Sequence, residues 1–265
     1  MKLKTMRKIG LFLFLTAFTG AFTFTKAQDD LQQLISDFIS SDWQTVKNAK
    51  LKLENYEKHS IPLIIKILDR GDVVKLTGTG SLIYPGAEKF FGYGQMIEYD
   101  IDRLSVRAGW LLEELTFNNF GFSGCHLAPE DQLIFIKITF PEYYNNANNR
   151  KKLENSTVSE ISEIIFNLSV KNAKDWWIKE GSDWTRLTAL VDALKSFDEK
   201  RQVKALFYLR YGETTCNGLT KDYYFENISK EIVRLSASET LRVSEHASNI
   251  LSDTRFMWLE NKKPD

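Results

Sequence analysis

In this 265-residue chain, Arg103, Arg107, Trp110 and Glu114 recur at intervals of three and four and so share one strip of a helix. Two guanidinium groups, an indole and a carboxylate on one strip could line a pocket for a small polar ligand. The same spacing also describes a solvated salt-bridge face flanking a core tryptophan. Glu113 and Glu114 are sequence neighbours that point in different directions, so they do not make an acid and base acting on one bond.

Just upstream, Val73 to Gly94 mixes glycines with the aromatic residues Tyr84, Phe90, Phe91 and Tyr93. Long connections in compact proteins are often functional, and these rings could form a flat contact surface for a peptide or sugar. They could equally cover the end of a helical stack as a β-hairpin. Gly78-Thr79-Gly80 is not a phosphate loop, because no Gly-Lys-Ser/Thr follows it and no strand-to-helix context surrounds it.

Metal and nucleophilic chemistry find little support. His59, His126 and His246 are scattered, no His-Glu-x-x-His or paired-cysteine spacing occurs, and no Gly-x-Ser-x-Gly is present. The expectation is therefore no metal and no cofactor. Cys125 and Cys216 are compatible with one disulfide in an oxidising compartment. They lie about two helix pairs apart, however, which exceeds the roughly 7 Å that bridged α-carbons allow unless a loop such as 117–129 folds back.

The elements that must position these residues are amphipathic helices opened by a short recurring word, a capping residue followed by Val. It occurs at Asp42 with Val46, Asp102 with Val106, Asn155 with Val158, Asp198 with Val203 and Ser238 with Val243, giving Val-to-Val spacings of 60, 52, 45 and 40. Leu31, Leu34, Ile35 and Phe38 predict one helix, and Trp43, Val46, Ala49, Leu53 and Tyr56 the next. Ser60-Ile61-Pro62 starts a third that ends at Gly71, and residues 72–99 then intervene before the helix carrying Arg107. Farther on, Asp198 opens a helix with Val203, Leu206 and Phe207 on its apolar side, a surface Lys204, and Gly212 as a left-handed cap. Phe225, Ile228, Ile232 and Leu235 define another, and Ser236 with Glu239 has capping-box spacing before the last helix. Residues 134–140 fit a helix or a strand, broken in either case by Pro141.

Asp42, Val46, Lys47 and Ala49, together with Asp102, Val106 and Arg107, and Asp198, Val203 and Lys204, resemble the second-helix pattern of the HEAT-repeat family of alpha-alpha superhelices; the last unit departs from it with Ser244 in the basic position. The resemblance implies an all-α array of about five helix pairs, interrupted by one Gly- and aromatic-rich insertion, that serves as a binding scaffold without family-wide chemistry.

Lys2, Lys4, Arg7 and Lys8 precede an apolar stretch and a small-residue site at Thr25-Lys26-Ala27, the pattern of an export signal cleaved before Gln28. Residues 28–260 then form a single array and 261–265 a disordered tail. Removing residues 1–27 takes five positive charges and no negative ones from a net of +0, leaving five net negative charges. No basic stripe interleaved with aromatics appears, so nucleic acid is not an expected partner. The composite expectation is a periplasmic or secreted protein, not inserted in a membrane after cleavage. It would bind a protein or peptide partner through its inner helices and the 72–99 insertion, an immunity or inhibitor protein being one specific form. The alternative is an enzyme or small-molecule receptor with a pocket under the insertion, near Arg107 and Glu114.

Overall fold

The computed structural model describes residues 29–88 and 94–252. Residues 1–27, where an export signal was expected, as well as Phe90, Phe91, Tyr93 and the expected tail at 261–265, lie outside the described residues. Within them the chain is all-α apart from one two-stranded ladder. Helix α1 covers residues 29–38, α2 Trp43–Asn55, α3 Ile61–Ile67 and α4 Leu104–Thr116. After a 3-10 turn at Phe122–His126 come α5 (Pro129–Thr139), α6 (Pro141–Asn145), α7 (Ala147–Glu154) and the 23-residue α8 (Val158–Glu180). The chain continues through α9 (Arg186–Lys195), α10 (Glu199–Tyr211), α11 (Lys221–Tyr223), a π turn, α12 (Ser229–Ser236) and α13 (Leu241–Ser252). The ambiguous 134–140 run is helical in α5, and Pro141 opens α6 at a position where its missing N–H costs nothing.

The capping words are read correctly at Asp42 and Asp198, whose carboxylates accept from the amides of Thr45 and Arg201. Elsewhere competing partners win. Asp102 does not cap α4; its buried carboxylate accepts from the Leu76 amide at 2.8 Å and the Tyr84 hydroxyl at 3.1 Å. Asn155 yields to Thr157, which forms a capping box with Glu160 at the start of α8. Ser236 closes α12, its hydroxyl donating to the Val233 carbonyl, and forms no box with Glu239. Gly212 ends α10 at φ −60°, not in the left-handed region, and α3 stops at Leu68, short of Gly71.

Most of the apolar interior is one cluster that runs from Phe38 and Val46 through Leu111 and Leu206 to Val243 and Ile250. A smaller one gathers Cys125, Phe135, Ile136, Phe140, Leu153 and Ile165 where α5–α7 lie against α8. The two cysteines fall in different clusters, both buried, and are not bridged to each other. Helix α4 is the centre of the molecule, with every residue but Glu114 buried. Gly109 lets the 3-10 turn approach it, since a Cβ there would stand 2.3 Å from the Phe122 ring. The helix ends on Phe117 at φ 53°, a strained conformation for a bulky residue, retained because its ring is buried 5.2 Å from Tyr208 with the Arg186 guanidinium over its face.

Helices α2 and α4, α4 and α10, and α10 and α13 meet through charges and rings. Lys50 of α2 pairs with Glu114 of α4 at 2.6 Å, Lys204 of α10 with Glu113 of α4 at 2.8 Å, and Phe207 of α10 meets His246 of α13. The third word breaks the regularity, because Val158 opens the long α8 and not the second helix of a pair.

Candidate interaction face and the buried charges behind it

The residues singled out on α4 are brought together, but for a structural task. Arg107 is fully buried, and its Nε donates to the Ile101 carbonyl at 2.6 Å. Nη1 reaches the carbonyls of Phe38 and Ser40 at 3.0 and 2.9 Å, and Nη2 that of Val74 at 3.0 Å. One guanidinium thus ties the end of α1, the insertion and the lead-in to α4, a use that its planar fork of five donors suits. Burial lowers its pKa to about 10, while Asp102, Tyr84 and Asp100 pull the other way. Its side chain has no solvent-exposed surface. Trp110 is also buried, packed 6.3 Å from Trp43 with Lys50 above its ring, and its indole N–H donates to Glu114. Glu114 is engaged by both Trp110 and Lys50, and exposed Arg103 pairs with Asp100 at 3.4 Å.

Two carboxylates form the hubs behind this strip, Glu113, which the sequence analysis weighed only as an acid–base partner of Glu114, and Glu54, which it did not single out. Glu113 has no solvent exposure and accepts from the amides of Phe120, Gly121 and Phe122 at 2.7, 2.8 and 3.2 Å, from the Tyr99 hydroxyl at 2.5 Å, and from Lys204. Burial alone would push its pKa up, but the Lys204 ammonium and these donors hold it below the ordinary carboxylate value. Lys204 is therefore a buried-pair cation and not the surface residue expected. Glu54 is the second hub, bound by Lys50, by Arg186 at 3.2 Å and by the Thr214 hydroxyl at 2.8 Å. Its pKa is lowered too, against the effect of burial, by Lys50 and Arg186.

The described limbs of the insertion belong to the core. Val74 N–H donates to the Asp102 carbonyl at 2.7 Å, Thr77 N–H to Ser41 at 2.7 Å, and Trp43 N–H to Thr77 at 3.0 Å, which stitches residues 72–77 across the starts of α2 and α4. Strands β1 (Leu82–Ile83) and β2 (Gln95–Met96) pair in parallel, so the segment is not a hairpin. Leu76, Leu82, Tyr84, Ile97 and Tyr99 are buried. Tyr84 is turned inward to Asp102 and unavailable as an open contact ring.

An exposed aromatic face lies on α10 and α13, where the sequence reading named Phe207 together with Val203 and Leu206 and did not separate it from them. Leu206 is fully buried, whereas Phe207 is 49% and Tyr211 45% exposed. Their rings lie 4.8 Å apart, one helical turn from each other, and His246 meets Phe207 edge-on at 6.3 Å. The Arg210 guanidinium sits 4.8 Å from the Tyr211 ring centre. Arg242, one turn before His246, stands 3.7 Å from Glu98, which places the end of the insertion beside α13. The Nδ1 of His246 and the Nε of Arg210 are buried atoms without a hydrogen-bond partner. His246 titrates below its ordinary value, through partial burial first and then the positive charges of Arg242 and Arg210, with Glu245 opposing. The available signal was the aromatic pair at i and i+4 on a helix otherwise rich in charged residues.

Across α13 from this face, Ser236, Ser244, Glu245, Ser248 and Asn249 line a hollow of about 430 Å³ that holds no aromatic or basic side chain. Among the described residues no group of three His, Cys, Asp or Glu side chains is placed to hold a metal ion, and no helix is long and apolar enough to cross a membrane. Compared with known proteins, the chain matches no family model, no curated protein and no solved structure.

Proposed function

We propose that this chain is an exported, noncatalytic binding scaffold, a HEAT-like helical array that holds a protein or peptide partner against α10, α13 and the adjoining end of the insertion. The observation that carries the reading is the Phe207–Tyr211 pair. Two large rings, each about half exposed and packed on one another, are held in place by a core that does not need them. Rigid aromatic groups with adjacent guanidinium side chains are the commonest energetic anchors of protein interfaces. The charged groups on which the receptor or enzyme alternative rested, Arg107 and Glu114, are engaged with carbonyls, Lys50 and Trp110, which favours the scaffold reading.

The test is capture of a partner by the mature chain from Gln28 onward, repeated with Phe207→Ser/Tyr211→Ser and with Ile178→Ser, which alters an exposed apolar residue on α8. The double variant should lose at least about tenfold in affinity, at roughly 1.4 kcal/mol per tenfold, while Ile178→Ser binds as the unsubstituted chain does. Equal retention by all three, each shown to be folded by circular dichroism, would remove the face from the function.

A further inference from the structure

We infer that the α10–α13 face is built for a carboxylate-bearing peptide segment, the acid group seated between Arg210 and Arg242 and a neighbouring apolar side chain resting on Phe207 and Tyr211. This rests on the scaffold reading and specifies its ligand. The argument begins with charge. Without the export segment the chain carries five net negative charges, yet Arg210 of α10, set on the Tyr211 ring, and Arg242 of α13, one turn before His246, belong to the two helices that meet at the Phe207–His246 contact. Like charges brought together cost free energy unless a counter-charge joins them.

The carboxylates nearest the spot are Glu98, beside Arg242, and Glu245, which lies round α13 at the neighbouring hollow. Glu98 is half exposed and 3.7 Å from Arg242, too long for a good hydrogen bond and a weak competitor. Arg210 makes no ion pair with any described carboxylate, and it lies against the Tyr211 ring with a buried Nε that has no acceptor. A guanidinium fixed on an aromatic face keeps its outer edge free for two parallel bonds to a carboxylate, and its stacking removes much of the entropy cost of ordering it. The adjacent rings supply apolar area for the residue next to the acid. His246, with an unpartnered Nδ1 and a neutral ring at pH 7, completes the rim without adding a third charge.

The experiment uses two synthetic probes, acetyl-Phe-Glu-Phe-Glu-amide and its Gln twin, titrated into the mature chain while the His246 ring signals are followed by NMR. The acidic probe should bind at least about tenfold more tightly than the Gln probe. Saturation with it should raise the His246 pKa, because the bound carboxylate offsets the field of Arg210, Arg242 and, on the other sign, adds to Glu98 and Glu245. Arg210→Gln should reduce the acidic probe to the affinity of its twin; Ile178→Ser should change nothing. Equal binding of the two probes, no binding of either at about 10 mM, or undiminished binding by Arg210→Gln overturns the inference. A captured protein partner that is lost with Phe207→Ser/Tyr211→Ser but held fully by Arg210→Gln/Arg242→Gln would do so as well, and would leave the scaffold reading intact.

Discussion

Replacing Arg107 with lysine separates a site residue from a structural brace. A pocket-lining arginine could become lysine at little cost to stability, with the loss falling on ligand affinity. The observed guanidinium instead serves four carbonyls on three segments, those of Phe38 and Ser40, Val74, and Ile101. A lysine ammonium has three donors on one nitrogen and no planar fork, so one to two of these bonds are lost in a site that excludes water. Hydrogen bonds to charged groups contribute about 1.5–3 kcal/mol each, and a buried carbonyl left without a donor costs about 1–3 kcal/mol. The variant should therefore lose about 2–4 kcal/mol. For a chain of this size each kcal/mol moves the melting temperature by roughly 2–4 °C, so a fall of about 5–15 °C is expected. Urea unfolding of the mature chain followed by far-UV circular dichroism gives the free energy, with Arg103→Lys as control. Arg103 is exposed and makes one ion pair at 3.4 Å, so its change should stay within about 0.5 kcal/mol. If Arg107→Lys also fell within that margin, the cross-bracing account of the insertion and α4 would be wrong.

The Glu113–Lys204 pair predicts strong coupling: Glu113→Gln and Lys204→Ala should each destabilise by about 2–4 kcal/mol, and a double-mutant cycle should return more than about 1 kcal/mol of interaction. Additive losses would mean that the two side chains act independently. Acid should unfold the protein through Glu54 and Glu113, whose folded pKa values are depressed. Their contribution is fully present above the unfolded value near 4.3 and disappears as pH falls through the folded values, so Glu113→Gln should flatten the acid limb of the stability curve below about pH 5; an unchanged slope contradicts the assignment. Gly109→Ala should cost more than about 1–3 kcal/mol by driving a Cβ into the Phe122 ring, and a melting temperature equal to that of the unsubstituted chain would show that the 3-10 turn moves aside freely.

How much of this was legible depended on which neighbours a residue found. The helices of α1, α2, α3, α10 and α13 follow from apolar spacing, and the caps at Asp42 and Asp198 hold because the further donors to those carboxylates, the Thr45 hydroxyl and the Asn119 side chain, do not displace the first-turn amides. Asp102 carries the same local word, but a segment 26 residues upstream supplies the Leu76 amide, and no local pattern encodes that approach. The strip of Arg107, Trp110 and Glu114 was located correctly and its environment misread. The corrective was partly present in α4 itself, where Leu104, Val106, Ala108, Trp110, Leu111, Leu112 and Leu115 leave only a narrow polar strip along Arg103, Arg107 and Glu114. Glu113 lies off that strip among apolar residues, and a buried charge must find partners or lose its ionisation. Those partners were the backbone groups of connecting segments, namely the carbonyls near α1, the insertion and Ile101 for Arg107, and the amides of 120–122 for Glu113. Helix α10 gives the opposite lesson. Its sequence is polar enough to leave one side in water, so of its two adjacent apolar residues Leu206 and Phe207 only one could reach the core, and the register set by buried Val203, Leu206 and Leu209 turns Phe207 outward beside Tyr211. The same periodicity that fixes the core therefore also creates the exposed aromatic face on which the proposed binding rests.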